Sequence, residues 1–164
     1  MAKMKLIAPS MEYDRQIQDF RTEYLASGES MDGGASLRKY GNTKDWLDSL
    51  EPDTSQYIYM DEEGKMVGIL QLRHKFNDFL RKYAGHIGYA VRPSERRKGY
   101  ASEMLAGVLP RCRELGIYEV LVTCLAENEG SRRTILKNGG VYESTVFEPE
   151  SKSTIERYWI RLEK

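Results

Sequence analysis

A short apolar run leads into a basic loop and then into a helical pattern in the segment His86-Ile-Gly-Tyr-Ala-Val-Arg-Pro-Ser-Glu-Arg-Arg-Lys-Gly-Tyr-Ala101. The residues from His86 to Val91 predict a mostly apolar strand, and Pro93 ends it. From Ala101 to Leu115 the apolar residues recur at helical spacing, and Gly116 ends this pattern. The sequence therefore predicts a strand, a basic loop and an amphipathic helix in direct succession.

The basic loop has the features of a phosphate-binding site. The first amides of a helix have no partner within the helix and lie at the positive end of its dipole, so an anion can bind there. Gly99 and Ala101 are small enough to let an anion approach the backbone, and Arg96, Arg97 and Lys98 add formal positive charge. The loop lacks G-x-x-x-x-G-K-[ST] and G-x-G-x-x-G, which argues against a nucleoside triphosphate P-loop and against a dinucleotide fold.

The loop matches the pattern [QR]-x-x-G-x-[GA] over residues 96–101. With the strand before it and the long helix after it, this hexapeptide resembles a motif of the GNAT superfamily, the acyl-CoA-dependent N-acetyltransferases. The next strand, followed by a helix that opens at Asn128 and ends at Lys137, is similar to the next motif of that family. The resemblance covers residues 56–147 well, whereas residues 1–55 match only in the order of their elements.

The resemblance implies an α/β fold of the α+β type. It predicts one GNAT-like domain over residues 1–164, with a mixed, mostly antiparallel sheet whose central strands splay apart and are flanked by helices. Acetyl-CoA would lie between the strand that ends at Val91 and the strand that ends near Leu125. The Val91 amide would hold the pantetheine chain or its thioester carbonyl, as an added strand pairs with a sheet edge.

The same resemblance assigns further residues to the cofactor. The phosphate motif places the CoA pyrophosphate on Arg96, Arg97, Lys98, Gly99, Tyr100 and Ala101. Asn128 would bind the pantetheine arm, and Ser131 is also counted among the cofactor-binding residues. Asn128 is also a good helix N-cap, and the two roles can coexist. Ser131 and Tyr142 both remain open to a purely structural role.

Acetyl transfer requires a general base for the amine and a proton donor for the departing thiolate, and at both positions this chain differs from the residue that relatives carry. Many relatives carry a proton-donating tyrosine at the position of Ile135, and isoleucine cannot donate, so the general acid is unassigned. Relatives often carry a glutamate where this chain has His86. A histidine near its usual pKa of about 6.5 can accept a proton, so His86 is a candidate general base, and the alternative is a histidine that only pairs with the splayed strand.

The rest of the chain predicts an alternation of strands and helices. The Gly-rich stretch 26–43 predicts a long loop, which we expect to act as a mobile lid whose Glu29 or Asp32 favours a cationic acceptor. Thr43 is the expected N-cap of the helix that follows. The predicted order is β-α-α-β-β-β-α-β-α-β-β, with strands at 5–8, 56–60, 66–74, 86–91, 119–125, 141–147 and 155–162 and helices at 11–25, 45–50, 101–115 and 131–137.

Composition narrows the classes of function. The 164 residues include 25 Lys and Arg and 25 Asp and Glu, a balance that argues against a nucleic-acid or membrane-surface partner. No apolar stretch reaches the roughly 18 residues of a membrane span, and no secretory signal is visible. Two cysteines without a CxxC motif favour the cytoplasm, and two histidines argue against a zinc site.

These observations predict a cytoplasmic acetyltransferase that moves an acetyl group from acetyl-CoA to a primary amine. The expected partners are acetyl-CoA and an amine acceptor, with no metal, and the chain is expected to be a monomer or a homodimer. The alternative is a non-catalytic acyl-CoA-binding module, which the isoleucine at position 135 favours. The acceptor itself is not indicated by the sequence.

Overall fold

Seven strands form two antiparallel sheets in the computed structural model, which describes residues 5–164. The expectation that the N-terminus carries no secretory signal concerns a segment that includes residues 1–4, and these lie outside the described residues. The strands are β1 Lys5–Ile7, β2 Thr54–Met60, β3 Met66–Arg73, β4 Ile87–Val91, β5 Glu119–Leu125, β6 Val141–Glu148 and β7 Ser153–Arg161. The helices are α1 Asp14–Ser27, α2 Thr43–Asp48, α3 Tyr100–Glu114 and α4 Glu129–Lys137.

Within residues 5–164, main-chain hydrogen bonds join the two sheets where β4 and β5 begin to diverge. The first sheet has the order β1-β2-β3-β4 and the second the order β5-β7-β6. At the junction, an isolated bridge joins Gly85 to Val122, and the His86 amide donates to the Leu121 carbonyl at 2.8 Å. Beyond this point β4 and β5 separate, so the expected mixed α/β fold with splayed central strands is confirmed.

The helices cover both faces of the first sheet and bury two apolar clusters. On one face, α1 and α2 contribute Ile17, Phe20 and Trp46, which pack on β2 and β3. On the other face, α3 contributes Met104, Leu105 and Val108, which pack with buried residues of both sheets. Burial of these apolar side chains provides most of the driving force for folding and fixes β4 between the two clusters.

Most predicted elements are present, and the differences lie at their ends. The N-cap of α2 is Asn42, whose Oδ1 accepts from the Asp45 amide at 2.9 Å, and not Thr43, which is buried and accepts from Gln18. Pro110 lies within α3, which continues to Glu114. In the described part of the chain, no helix combines the length and the apolar character that a bilayer crossing needs.

Candidate active site

A cleft of about 1190 Å³ opens where β4 and β5 diverge. Its walls include β4, the basic loop, the first turn of α3, the C-terminal end of β5, the start of α4 and part of the loop after α1. Most residues assigned to the cofactor from the sequence line this cleft, namely Val91, Arg96, Arg97, Gly99, Tyr100, Ala101, Asn128 and Ser131. The structure therefore brings the phosphate motif, β4 and α4 together around one space.

Strand β4 turns half of its main-chain groups toward this space. The Arg73 amide donates to the His86 carbonyl, and the Arg92 amide donates to the Val67 carbonyl. In this register, the main-chain groups of the even-numbered residues of β4 form the hydrogen bonds with β3. Because hydrogen-bonded and non-hydrogen-bonded pairs alternate in an antiparallel ladder, the N–H and C=O groups of Tyr89 and Val91 point away from β3. The Val91 amide is therefore a free donor at the cleft.

The basic loop is shaped to present its amides to an anion. Arg97 and Gly99 both have positive φ, at 65° and 84°, and α3 begins directly after them at Tyr100. Successive amides turned in this way form a concave site at a helix N-terminus, where the dipole also favours an anion. A Cβ added at Gly99 would have no neighbour within 4 Å, so this face of the loop is open.

Arg96 belongs to a hydrogen-bonded cluster at the end of β4. Its guanidinium donates to the Glu29 carboxylate at 2.9 Å and to the Tyr24 hydroxyl at 3.3 Å. The Tyr24 hydroxyl in turn donates to the Val91 carbonyl at 2.7 Å. Burial raises the pKa of Tyr24, so the group stays a neutral hydroxyl that can donate this bond. Glu29 is thus the ionic partner of the phosphate loop, although the sequence had placed it on the acceptor side.

Lys98 is not one of the residues that line the cleft. Its ammonium pairs with Glu95, whose carboxylate also pairs with Lys65 at 2.7 Å. These two ammonium groups lower the pKa of Glu95 to about 2, so the cluster stays ionised at neutral pH. The predicted contact of Lys98 with CoA phosphate therefore has no support from its position, because its ammonium is paired with Glu95 and lies outside the cleft.

The start of α4 contacts β4 across the cleft. Asn128 caps the helix, with its Oδ1 accepting from the Ser131 amide at 3.1 Å. The Ser131 hydroxyl lies 2.7 Å from the Tyr89 hydroxyl. Burial raises the pKa of Tyr89 to about 12, so this phenol is protonated at neutral pH. Ile135 is completely buried and so fills a core position at the site of the family's tyrosine.

His86 lies at the junction of the two sheets and is not among the residues that line the cleft. Its Nδ1 accepts a hydrogen bond from the Leu121 amide at 2.9 Å, and its ring packs on Phe76 with centroids 4.2 Å apart. Burial, with the nearby charge of Arg73, lowers the pKa of His86 to about 4. This geometry matches the alternative that the sequence left open, a histidine that pairs with the splayed strand, and no contact supports the general-base role.

The loop after α1, which the sequence predicts to act as a lid, packs on β4 and accepts hydrogen bonds from β2 and α2. The Gln56 amide donates to the Gly33 carbonyl at 2.8 Å, and the Trp46 indole donates to the Gly34 carbonyl at 3.1 Å. A Cβ on Gly33 would lie only 2.2 Å from the Gly88 carbonyl oxygen, so two glycine backbones touch here. The contact holds Asp32 at the edge of the cleft.

Three side chains at this site were not identified from the sequence, namely Tyr24, Arg73 and Tyr89. Tyr24 comes from α1 and Arg73 from the end of β3, and neither lies in a recognisable motif. Tyr89 lies in the quoted segment, but its partner Ser131 is 42 residues away. Only the three-dimensional fold brings these groups to the cleft, so no local pattern could have indicated them.

A splayed pair of strands with an outward-facing amide, next to a phosphate loop at a helix N-terminus, is the arrangement that the resemblance to CoA-dependent acyltransferases implies. A family model described as an acetyltransferase (GNAT) domain matches residues 12–141. This match covers most of the sequence, and the chain therefore belongs to the GNAT acetyltransferase family. Among curated proteins, no sequence matches this chain.

Solved structures share the fold over nearly the whole chain. RimL, a ribosomal L7/L12 α-N-protein acetyltransferase in complex with coenzyme A, has a TM-score of 0.77 at 14% identity, over 99% of this chain and 96% of that one. The microcin C7 self-immunity acetyltransferase MccE, in complex with acetyl-CoA and AMP, has a TM-score of 0.72 at 15% identity, over 99% and 94%. A chimera of spermidine N-acetyltransferase SpeG from Vibrio cholerae and hSSAT has a TM-score of 0.68 at 16% identity, over 97% and 95%.

Proposed function

We propose that this protein transfers an acetyl group from acetyl-CoA to a primary amine by direct attack of the amine on the thioester. The observation that carries the proposal is the free Val91 amide beside the phosphate loop, in a cleft large enough for a pantetheine chain. CoA and acetyl-CoA in complexes of RimL and MccE, which share the fold, give further support.

In this proposal the two ends of the cofactor have separate binding groups. The amides of residues 97–101 and the guanidinium of Arg97 hold the phosphates, because the loop turns these donors toward the open cleft. The pantetheine chain pairs with the outward amides of β4, as a strand added to a sheet edge does. Asn128 and Ser131 line the opposite wall at the start of α4.

The reaction then needs only proton transfers and charge stabilisation. The amine nitrogen forms the C–N bond, and the Val91 amide donates to the oxyanion of the tetrahedral intermediate. The C–S bond breaks with its electron pair on the CoA sulfur, which takes a proton from water, while the nitrogen loses its extra proton to water. The Tyr89 hydroxyl, neutral at pH 7, donates a hydrogen bond to the departing sulfur. It takes the role of the tyrosine that relatives carry at the position of the buried Ile135.

Acetyl-CoA turnover measured by thiol release, over a panel of amines and with the acetylated product identified by mass spectrometry, tests this function. We expect thiol release to depend on the amine and to match the acetylated product in amount. Tight binding of acetyl-CoA by calorimetry without turnover of any amine would instead support the non-catalytic module. No binding of acetyl-CoA would refute both.

A further inference from the structure

Two opposite charges line the cleft at the end where the loop after α1 meets β4. Asp32 is carried by the loop, and Arg73 by the end of β3. Among residues 5–164, neither side chain forms a salt bridge, although each influences the other's pKa through its charge. A cation and an anion that face one cleft without pairing are placed to bind a ligand that carries both charges.

Arg73 is held rigidly with part of its guanidinium free. Its Nε donates to Gln71 Oε1 at 3.1 Å, and its Nη1 donates to the carbonyls of Ala84 and Gly85, each at 3.2 Å. Its Nη2 lies 2.8 Å from the place where a Cβ on Gly88 would stand, so this nitrogen extends over the Gly88 backbone. The remaining N–H groups of a fixed guanidinium are well suited to bind a carboxylate.

Asp32 lines the same cleft and is next in sequence to Gly33. The close contact of Gly33 with the Gly88 backbone, together with the hydrogen bond from Gln56, fixes the main chain that carries Asp32. Burial raises the pKa of Asp32 and the charge of Arg73 lowers it. An ammonium group bound here would be a second counter-ion for this carboxylate.

An apolar rim lies next to the two charges. Phe79 and Tyr83, on the segment before β4, line the same cleft with ring centroids 5.3 Å apart. Phe79 is 50% exposed, so its ring is accessible from the cleft. A ligand held by its two charged groups could place an apolar side chain against these rings.

We propose that the acceptor is a free α-amino acid with an apolar side chain, whose amino group lies at Asp32 and whose carboxylate binds the Arg73 guanidinium. This inference rests on the proposed acetyl transfer and names its substrate class. A polyamine fits the site less well, because it offers no carboxylate to the half-buried Arg73 guanidinium. An α-amino acid carries an amine and a carboxylate on one carbon, so a single small ligand offers a partner to each of the two charges that line this cleft.

The test compares three ligands that differ only at the carboxylate, namely phenylalanine, phenylalaninamide and phenethylamine, with spermidine as a fourth acceptor. We expect kcat/KM for phenylalanine to exceed that for the amide and the amine by at least about tenfold, the value of one charged hydrogen-bonded contact. The amide has the less basic amino group, so intrinsic reactivity at neutral pH would favour it and give the opposite order. Equal values for the three ligands, or a preference for spermidine, would overturn the proposal.

Variants separate the two charges. R73Q should lower kcat/KM for phenylalanine at least about tenfold and leave phenethylamine within about threefold, whereas D32N should weaken every amine. K75Q removes an exposed charge two residues beyond Arg73 and should change neither value. An R73Q variant that loses phenylalanine and phenethylamine equally while still binding acetyl-CoA would refute the carboxylate contact.

A calorimetric titration, together with the acetylation assay, separates failure of this inference from failure of the proposed function. If R73Q does not fold, calorimetric titration of the wild-type protein with the same three ligands, in the presence of CoA, decides: phenylalanine should bind most tightly, and equal binding would refute the contact. If acetyl-CoA binds but no amine is acetylated, the proposed function fails. If amines are acetylated without regard to the carboxylate, the proposed function stands and only this inference fails.

Discussion

Replacing Gly99 by valine tests the phosphate loop most directly. Gly99 precedes α3 with a φ of 84°, and a Cβ there would project into the open cleft without meeting any protein atom within 4 Å. A valine side chain would therefore occupy the space that we assign to the pyrophosphate. Gly116, just beyond the other end of α3, has a φ of 77° and an equally open Cβ direction, and it does not line the cleft. Gly116→Val is thus a matched control.

The two variants should lose stability alike and differ in binding. A non-glycine residue in the left-handed region costs about 1–2 kcal/mol, which lowers Tm by roughly 2–8 °C in a chain of this size. A protein of ordinary stability, about 5–15 kcal/mol, stays folded after this loss. Gly99→Val should in addition raise the Kd of acetyl-CoA by at least about tenfold, or about 1.4 kcal/mol, through steric exclusion of the phosphate. Gly116→Val should leave the Kd unchanged.

Isothermal titration calorimetry with acetyl-CoA, together with thermal unfolding of both variants, provides the measurement. Dephospho-CoA and pantetheine can be titrated as well, because pantetheine lacks the pyrophosphate and should bind both variants equally. The assignment of the loop is refuted if Gly99→Val and Gly116→Val bind acetyl-CoA with the same affinity while both are folded. It is also refuted if pantetheine binding falls as much as that of acetyl-CoA.

Three further substitutions address the groups around the cleft. Tyr89→Phe should lower kcat about 10- to 100-fold with unchanged acetyl-CoA affinity, and a wild-type kcat would exclude its contact with the sulfur. The folded-state pKa of His86 is about 4, below its unfolded value near 6.5, so the unfolded protein binds the extra proton first and stability falls as pH drops through this window. Between pH 7 and pH 5, the free energy of unfolding of the wild type should therefore fall by about 2 kcal/mol more than that of His86→Gln. If His86→Gln instead loses about 100-fold or more in kcat at neutral pH, His86 is the general base. Glu29→Gln should tighten acetyl-CoA binding by about two- to fivefold, since it releases Arg96, and a higher KM for the amine instead would return Glu29 to the acceptor side.

The phosphate loop could be predicted because its information is local. Six consecutive residues, with a strand before them and a helix after them, place amides and charges in one position regardless of the rest of the fold. The loop's φ values at Arg97 and Gly99 agree with that reading. Lys98 differs because its ammonium pairs with Glu95, three residues earlier, whose carboxylate also pairs with Lys65 of the distant β2–β3 hairpin.

The roles that could not be predicted depend on contacts between distant segments. Burial and the charge of Arg73 lower the pKa of His86, and its Nδ1 accepts a hydrogen bond from the Leu121 amide, 35 residues away. Arg73 becomes a cleft residue only because β3 and β4 pair so that its side chain extends over Gly88. The N-cap of α2 shows a different limit, since Asn42 and Thr43 are both good capping residues and only the backbone geometry decides between them.

The contact between Gly33 and Gly88 constrains how this enzyme can change its choice of substrate. A side chain at Gly33 would clash with the Gly88 carbonyl and push the loop off β4, and one at Gly88 would crowd the Gly33 backbone and the Arg73 guanidinium. The distance between the loop and β4 at this end of the cleft is therefore fixed by the two glycines, and no substitution there can change it gradually. Phe79 and Tyr83 are free of this constraint, because they lie on the rim. Directed evolution toward larger or smaller acceptors should accordingly accumulate changes at these two aromatic positions while both glycines persist.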